Sequence, residues 1–121
     1  MKVLIIDDEE DTRSVASMSL SLLGGLDVIE ADSGEEGIRK APVENPDVVL
    51  LDMMMPVMDG AATLDKLLTN ELTKHIPVIF LTAKAMTSEI DRLKRLGAKG
   101  VVTKPFDPTM LASQVQAILE S

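Results

Sequence analysis

Five short apolar runs punctuate the chain, each followed closely by polar or charged residues: Val3–Ile6, Leu26–Ala31, Val48–Leu51, Val78–Leu81 and Gly100–Thr103. Runs this short, rich in β-branched residues and bounded by turn signals, predict strands buried on both faces. Val48–Leu51 is the clearest, preceded by Pro46 and closed by Asp52. The intervening stretches are each long enough for one helix. From Glu10 to Leu23 the residues Val15, Met18, Leu22 and Leu23 recur at helical spacing, predicting an inward face that stops at Gly24-Gly25. Ser33-Gly34-Glu35-Glu36 has the form of a capping box opening a short helix that Pro42 closes. A third helix is predicted over Gly60–Leu72, with Ala61, Leu64, Leu67 and Leu68 inward. A fourth runs over Thr87–Leu96, with Ile90, Leu93 and Leu96 inward and Gly97 as its stop. The last takes Asp107 as N-cap and Pro108 as its first residue, then buries Leu111, Val115, Ile118 and Leu119.

Strands alternating with helices predict an α/β fold: parallel βα units, wound right-handedly into an open five-stranded sheet with helices on both faces. Residues 1–121 read as one domain, without internal repeat, low-complexity tract or linker. A chain of this length buries roughly two-thirds of its unfolded surface.

Composition narrows the function. The formal net charge of −8 argues against nucleic acid, whose phosphates demand a basic face, and favours cations or basic partners. Absent Cys rules out disulfides and thiolate metal sites. The absence of Tyr and Trp, with Phe80 and Phe106 as the only aromatics, removes base-stacking platforms and an aromatic flavin clamp. The first apolar run is too short for a signal segment or a membrane span, so the expectation is a cytoplasmic protein that touches no membrane.

The polar residues that follow the strands carry the chemistry. Asp7 and Asp8 follow the first, Asp52 the third, Thr82 the fourth and Lys104 the fifth. Open α/β sheets bind ligands outside the carboxyl ends of their strands, where the winding direction reverses. Three carboxylates, a hydroxyl and an ammonium are therefore expected at one rim. Two carboxylates about 4 Å apart repel by roughly 4 kcal/mol at an effective dielectric near 20. A third carboxylate requires a cation. Oxygen-only donors select a hard ion, and a sparse set with room for water favours Mg²⁺ over Ca²⁺. With Mg²⁺ and Lys104 balancing the three carboxylates, the site can receive a phosphoryl group on a carboxylate oxygen.

IIDDE at Ile5–Glu9, LLDMMMPVMDG at Leu50–Gly60, LTAKA at Leu81–Ala85 and TKPF at Thr103–Phe106 together resemble the bacterial response-regulator receiver domain, over the whole chain. The resemblance implies a flavodoxin-like sheet of order 2-1-3-4-5. It implies that Asp52 is the phosphoacceptor of a two-component system, loaded by a histidine kinase or phosphotransfer protein. Asp8, Asp52 and the backbone carbonyl of Met54 would hold Mg²⁺, with Asp7 helping through water. Thr82 would bond a phosphoryl oxygen and shift on activation. Lys104 would pair with the phosphoryl group, and its bond to Pro105 would be cis. Small Ala83 would leave the site accessible. The domain would be no enzyme in the ordinary sense, but a signalling module that assists its own phosphorylation and dephosphorylation.

Two departures from the family pattern stand out. Val101 occupies a position, three residues before Lys104, where an aromatic that swings inward on activation is common. Activation is then expected through backbone movement after Thr82. Apolar Met54, two residues past Asp52, has no polar group to orient an attacking water, which implies a long-lived aspartyl phosphate.

Other readings weigh less. In Asp7-Glu9-Asp11 an EF-hand fails, because its sixth position is Thr12 and its twelfth Met18. An aspartyl-phosphate phosphatase needs a second acid where Met54 stands. A flavin phosphate would meet Asp7-Asp8-Glu9. His75, the only histidine, reads as structural or solvent-facing. A receiver-like module that binds partners without phosphorylation is the alternative that remains. The output partner is expected on the surface of the fourth helix, fifth strand and fifth helix.

Overall fold

A computed structural model describes residues 1–84 and 86–121, leaving Ala85, the last residue of the LTAKA stretch, outside the described residues. Strands β1 (Lys2–Ile6), β2 (Asp27–Ala31), β3 (Val48–Asp52), β4 (Val78–Thr82) and β5 (Gly100–Thr103) form one parallel sheet. Its order is β2-β1-β3-β4-β5, as the resemblance implied. Every residue of β3 and β4 is buried, which explains why their sequences are continuous apolar runs rather than alternating ones.

Successive residues of each strand feed opposite faces. Leu4, Ile6, Val49, Leu51, Val78 and Phe80 pack against α2 (Gly34–Glu44), α3 (Gly60–Leu68) and α4 (Thr87–Arg95). Val3, Ile5, Val48, Leu50, Ile79 and Leu81 pack against α1 (Glu10–Met18) and α5 (Leu111–Glu120). Both faces are covered, as the pattern predicted. Close helix–sheet contact depends on small residues: a Cβ on Gly37 of α2 would collide with the Ile6 side chain.

Several helix expectations need correction. The first helix ends at Met18, and Ser19–Leu23 continue as a π-helical turn. Its buried residues are Ala16, Ser19 and Leu20, whereas Val15, Met18, Leu22 and Leu23 face solvent, the last two at 75% and 66% exposure. Helical spacing found a real apolar stripe, but a second one of smaller residues lies beside it. The smaller set lets the helix approach the sheet. The wide turn is closed by the Gly24 amide donating to the Ser19 carbonyl at 3.2 Å.

Pro42 lies inside α2 rather than closing it. Proline removes one helical hydrogen bond there, and the helix ends two residues later at Glu44, capped by Asn45 left-handed at φ 46°. The third helix ends at Leu68, before the predicted Leu72, which is exposed. Buried Thr73 folds back there, donating to the Leu67 carbonyl at 2.7 Å. In α4, Leu93 is buried but Leu96 is exposed. Asp107 is not the N-cap of α5. Its carboxylate accepts from the Thr109 amide at 2.9 Å and hydroxyl at 2.7 Å, making a separate turn before the helix begins at Leu111.

Candidate functional site

The order reverses between β1 and β3, so their carboxyl ends open a crevice at the sheet rim. Asp7 follows β1 directly and Asp52 ends β3; both are buried, while Asp8 is exposed. Each of these three residues offers a carboxylate oxygen within 4.8 Å of the other two. From the far side, Lys104 after β5 brings its Nζ to 3.1 Å from Asp52 Oδ1 and 3.2 Å from Asp7 Oδ2. Thr82 ends β4 opposite Thr103, and its carbonyl accepts from the Lys104 amide at 2.8 Å. Thr82 Oγ1 in turn accepts from the Lys84 amide at 3.1 Å, and a hydroxyl that accepts still carries a proton to donate. The peptide between Lys104 and Pro105 is cis. The sequence-selected residues thus gather at one rim, and His75, expected to be structural or solvent-facing, lies exposed between α3 and β4.

Strand ends and backbone bonds set these positions. Asp7 Oδ1 accepts from the Glu9 amide at 2.9 Å, fixing the turn into α1. The Met54 amide reaches Asp52 Oδ1 at 3.4 Å, and the Met54 side chain points to solvent. Gly60 packs its α-carbon against the same turn: an added Cβ would lie 2.7 Å from the Asp52 carbonyl oxygen and 2.8 Å from the Phe80 ring. Only glycine admits α3 so close to the end of β3.

Electrostatics mark the rim as short of positive charge. Burial pushes the Asp52 carboxyl up to about 6, the Lys104 hydrogen bond offsetting part of that rise and the Asp7 charge adding to it. Burial works to lower the Lys104 ammonium, yet its bond to Asp52 and the charges of Asp7 and Asp52 hold it above its ordinary value. Two carboxylates share one ammonium here, with a third beside them. The donors are all oxygens, without a histidine or cysteine among them. A hard divalent cation fits this set, and Mg²⁺ suits a site with few protein ligands and an open side.

Arg13, on α1, is one residue the sequence did not single out. Its Nη1 donates to the Asp7 carbonyl at 2.8 Å and its Nε to Glu30 Oε1 of β2 at 3.0 Å. The signal available was a basic residue one turn into a helix that follows an acidic cluster. Beside Lys104 a groove of about 440 Å³ opens, lined by Asp11, Val15, Ala83, Pro105 and Phe106.

The response regulator receiver domain model matches residues 3–116. The chain belongs to that family. As a receiver domain it is a signalling module of two-component systems rather than a classical enzyme. It is 39% identical over 120 residues to the alkaline phosphatase synthesis transcriptional regulatory protein PhoP of Bacillus subtilis, covering 98% of this chain and 48% of that protein. The receiver domain thus spans about half the length of that relative. It is 34% identical to the probable chemotaxis protein CheY of Rhizobium etli, covering 98% of this chain and 92% of the relative. The chemotaxis protein CheY4 of Vibrio cholerae superposes with a TM-score of 0.89 at 32% identity, covering 97% of each chain. Among the described residues, no helix of the receiver domain is long and apolar enough to cross a membrane.

Proposed function

We propose that this receiver domain is switched by phosphorylation of Asp52, taken from the phosphohistidine of a histidine kinase or phosphotransfer protein, with Mg²⁺ held at the acidic rim. The observation that carries the reading is the approach of Lys104 to both buried carboxylates, 3.1 Å from Asp52 and 3.2 Å from Asp7. An ammonium so placed neutralises a phosphoryl oxygen once the acceptor carries one. Asp8, Asp52 and the Met54 carbonyl are the proposed Mg²⁺ ligands, with Asp7 acting through water. Bound there, the ion would supply neutralisation of the phosphoryl oxygens alongside Lys104.

With its carboxyl at about 6, Asp52 is largely ionised at neutral pH and keeps a nucleophilic oxygen. That oxygen attacks phosphorus as the bond to the donor imidazole nitrogen breaks. The products are an acyl phosphate on Asp52 and an imidazole that takes up one proton. Lys104 holds one phosphoryl oxygen, Thr82 donates its hydroxyl proton to another, and the Met54 amide steadies the acceptor. The groove past Ala83 and Phe106 gives the donor side chain its approach. Movement after Thr82 carries the change to the surface of α4, β5 and α5, where a downstream protein reads it. No nucleic acid and no membrane enter this scheme, consistent with the charge of −8, and the site of action is cytoplasmic.

Intact mass after incubation with a small phosphoramidate and Mg²⁺ tests the proposal. Wild type should gain one phosphoryl group and Asp52→Ala none. A gain in both moves the acceptor elsewhere. A gain in neither leaves the domain as a partner-binding module without phosphorylation.

A further inference from the structure

We infer that Arg13 and Glu30 are positioning residues that set the geometry of the Mg²⁺-binding end of the β1–α1 loop; this role rests on the metal reading above. Strand β1 ends at Ile6, so the Asp7 carbonyl lies beyond its ladder. That carbonyl belongs to the peptide joining Asp7 to Asp8, the two acids this loop contributes. Rotation of that one peptide plane would redirect the Asp8 side chain, which is exposed.

Arg13 holds the plane. Its Nη1 donates to the Asp7 carbonyl at 2.8 Å, and its Nε is fixed at 3.0 Å by Glu30 Oε1. A guanidinium is a rigid planar fork, so anchoring one edge aims the other. Glu30 is itself anchored, because it sits in β2 and its carbonyl accepts from Lys40 Nζ of α2 at 2.6 Å. The Asp7 amide donates to the Ala31 carbonyl at 3.1 Å. Both sides of Asp7 are therefore referred to the same edge strand.

Stability does not account for the arrangement. The Glu30 side chain is 42% exposed against 16% for Arg13, and an ion pair with one partner open to water contributes little to folding. Residues behind metal ligands act instead by orienting them, with effects on affinity of about 10-fold to 100-fold.

Mg²⁺ titration by calorimetry on wild type, Arg13→Gln, Glu30→Gln, the double variant and Val28→Ala tests the role, with urea unfolding run alongside. Val28 shares β2 and packs on the sheet face, so its variant loosens the strand without removing the guanidinium contacts. Arg13→Gln should raise the Mg²⁺ Kd by about 10-fold or more. Glu30→Gln should raise it less, and the double variant no more than Arg13→Gln, because both act through one contact. Val28→Ala should lose stability at unchanged Kd. In metal-free protein the Asp8 and Glu9 amides should exchange faster in Arg13→Gln. An unchanged Kd in Arg13→Gln, or an equal loss in Val28→Ala, overturns the positioning role alone. A wild type that binds no Mg²⁺ overturns the metal reading and this role with it.

Discussion

Replacing Asp52 by Asn should make the metal-free protein more stable at pH 8. The carboxylate is 3% exposed, and its folded value of about 6 lies above the ordinary 3.8. As pH rises through that interval the unfolded chain gives up its proton first, so folding loses stability across it and does not regain it above. A displacement of about two units corresponds to about 3 kcal/mol at most, at 1.36 kcal/mol per unit. That displacement already contains the Lys104 contact, and Asn stands in for the neutral acid. The expected gain is about 1–3 kcal/mol at pH 8, shrinking toward zero near pH 4. Urea unfolding in a chelator measures it, followed by far-UV circular dichroism because the chain has no Trp. Added Mg²⁺ should shrink or reverse the advantage: at one hundred times Kd a bound ion adds about 2.7 kcal/mol to wild type, and the variant lacks a proposed ligand. A variant less stable than wild type at pH 8 without metal would refute the reasoning. So would an advantage that persists unchanged at pH 4.

Three further outcomes follow from the geometry. Leu20→Ala should cost about 2–5 kcal/mol and Leu22→Ala less than about 0.5 kcal/mol in the same unfolding assay; equal costs would contradict the observed inward face of the first helix. Lys104→Met should leave two buried carboxylates without their ammonium, costing about 3–5 kcal/mol without metal and slowing phosphorylation by small donors, with intact mass against time as the readout. Phosphorylated wild type in Mg²⁺ should keep its label for minutes or longer, on the scale set by an apolar Met54; loss within seconds removes that explanation.

The centre of the sheet was legible because β1, β3 and β4 are buried on both sides, which writes them as nearly unbroken apolar runs, whereas edge strand β2 carries Asp27 and Glu30. The site was legible for a related reason. A charged or polar group directly after such a run emerges at the rim, so Asp7, Asp52, Thr82 and Lys104 mark the ends of β1, β3, β4 and β5 by their chemistry. Helix faces were harder to read. Val15, Met18 and Leu22 keep helical spacing as well as Ala16 and Leu20 do, and bulk favoured the wrong set. The choice between them depends on how closely the helix can approach the sheet, which is a tertiary property. Pro42 and Asp107 mislead for the opposite reason: each has a strong local preference that its neighbours satisfy in another way. Arg13 was not legible, because its partner Glu30 is brought near only by the pairing of β1 with β2.

The outward leucines at the end of the first helix bear on how the molecules behave toward one another. A net charge of −8 keeps copies apart in dilute buffer, and that repulsion fades as the screening length falls to about 3 Å in molar salt. Concentrated salt should therefore promote self-association through the patch of Met18, Leu22 and Leu23, detectable as a rise in sedimentation coefficient. Leu22→Ser with Leu23→Ser should abolish the rise. Colloidal behaviour in this protein is thus set by a few apolar side chains held apart by long-range charge.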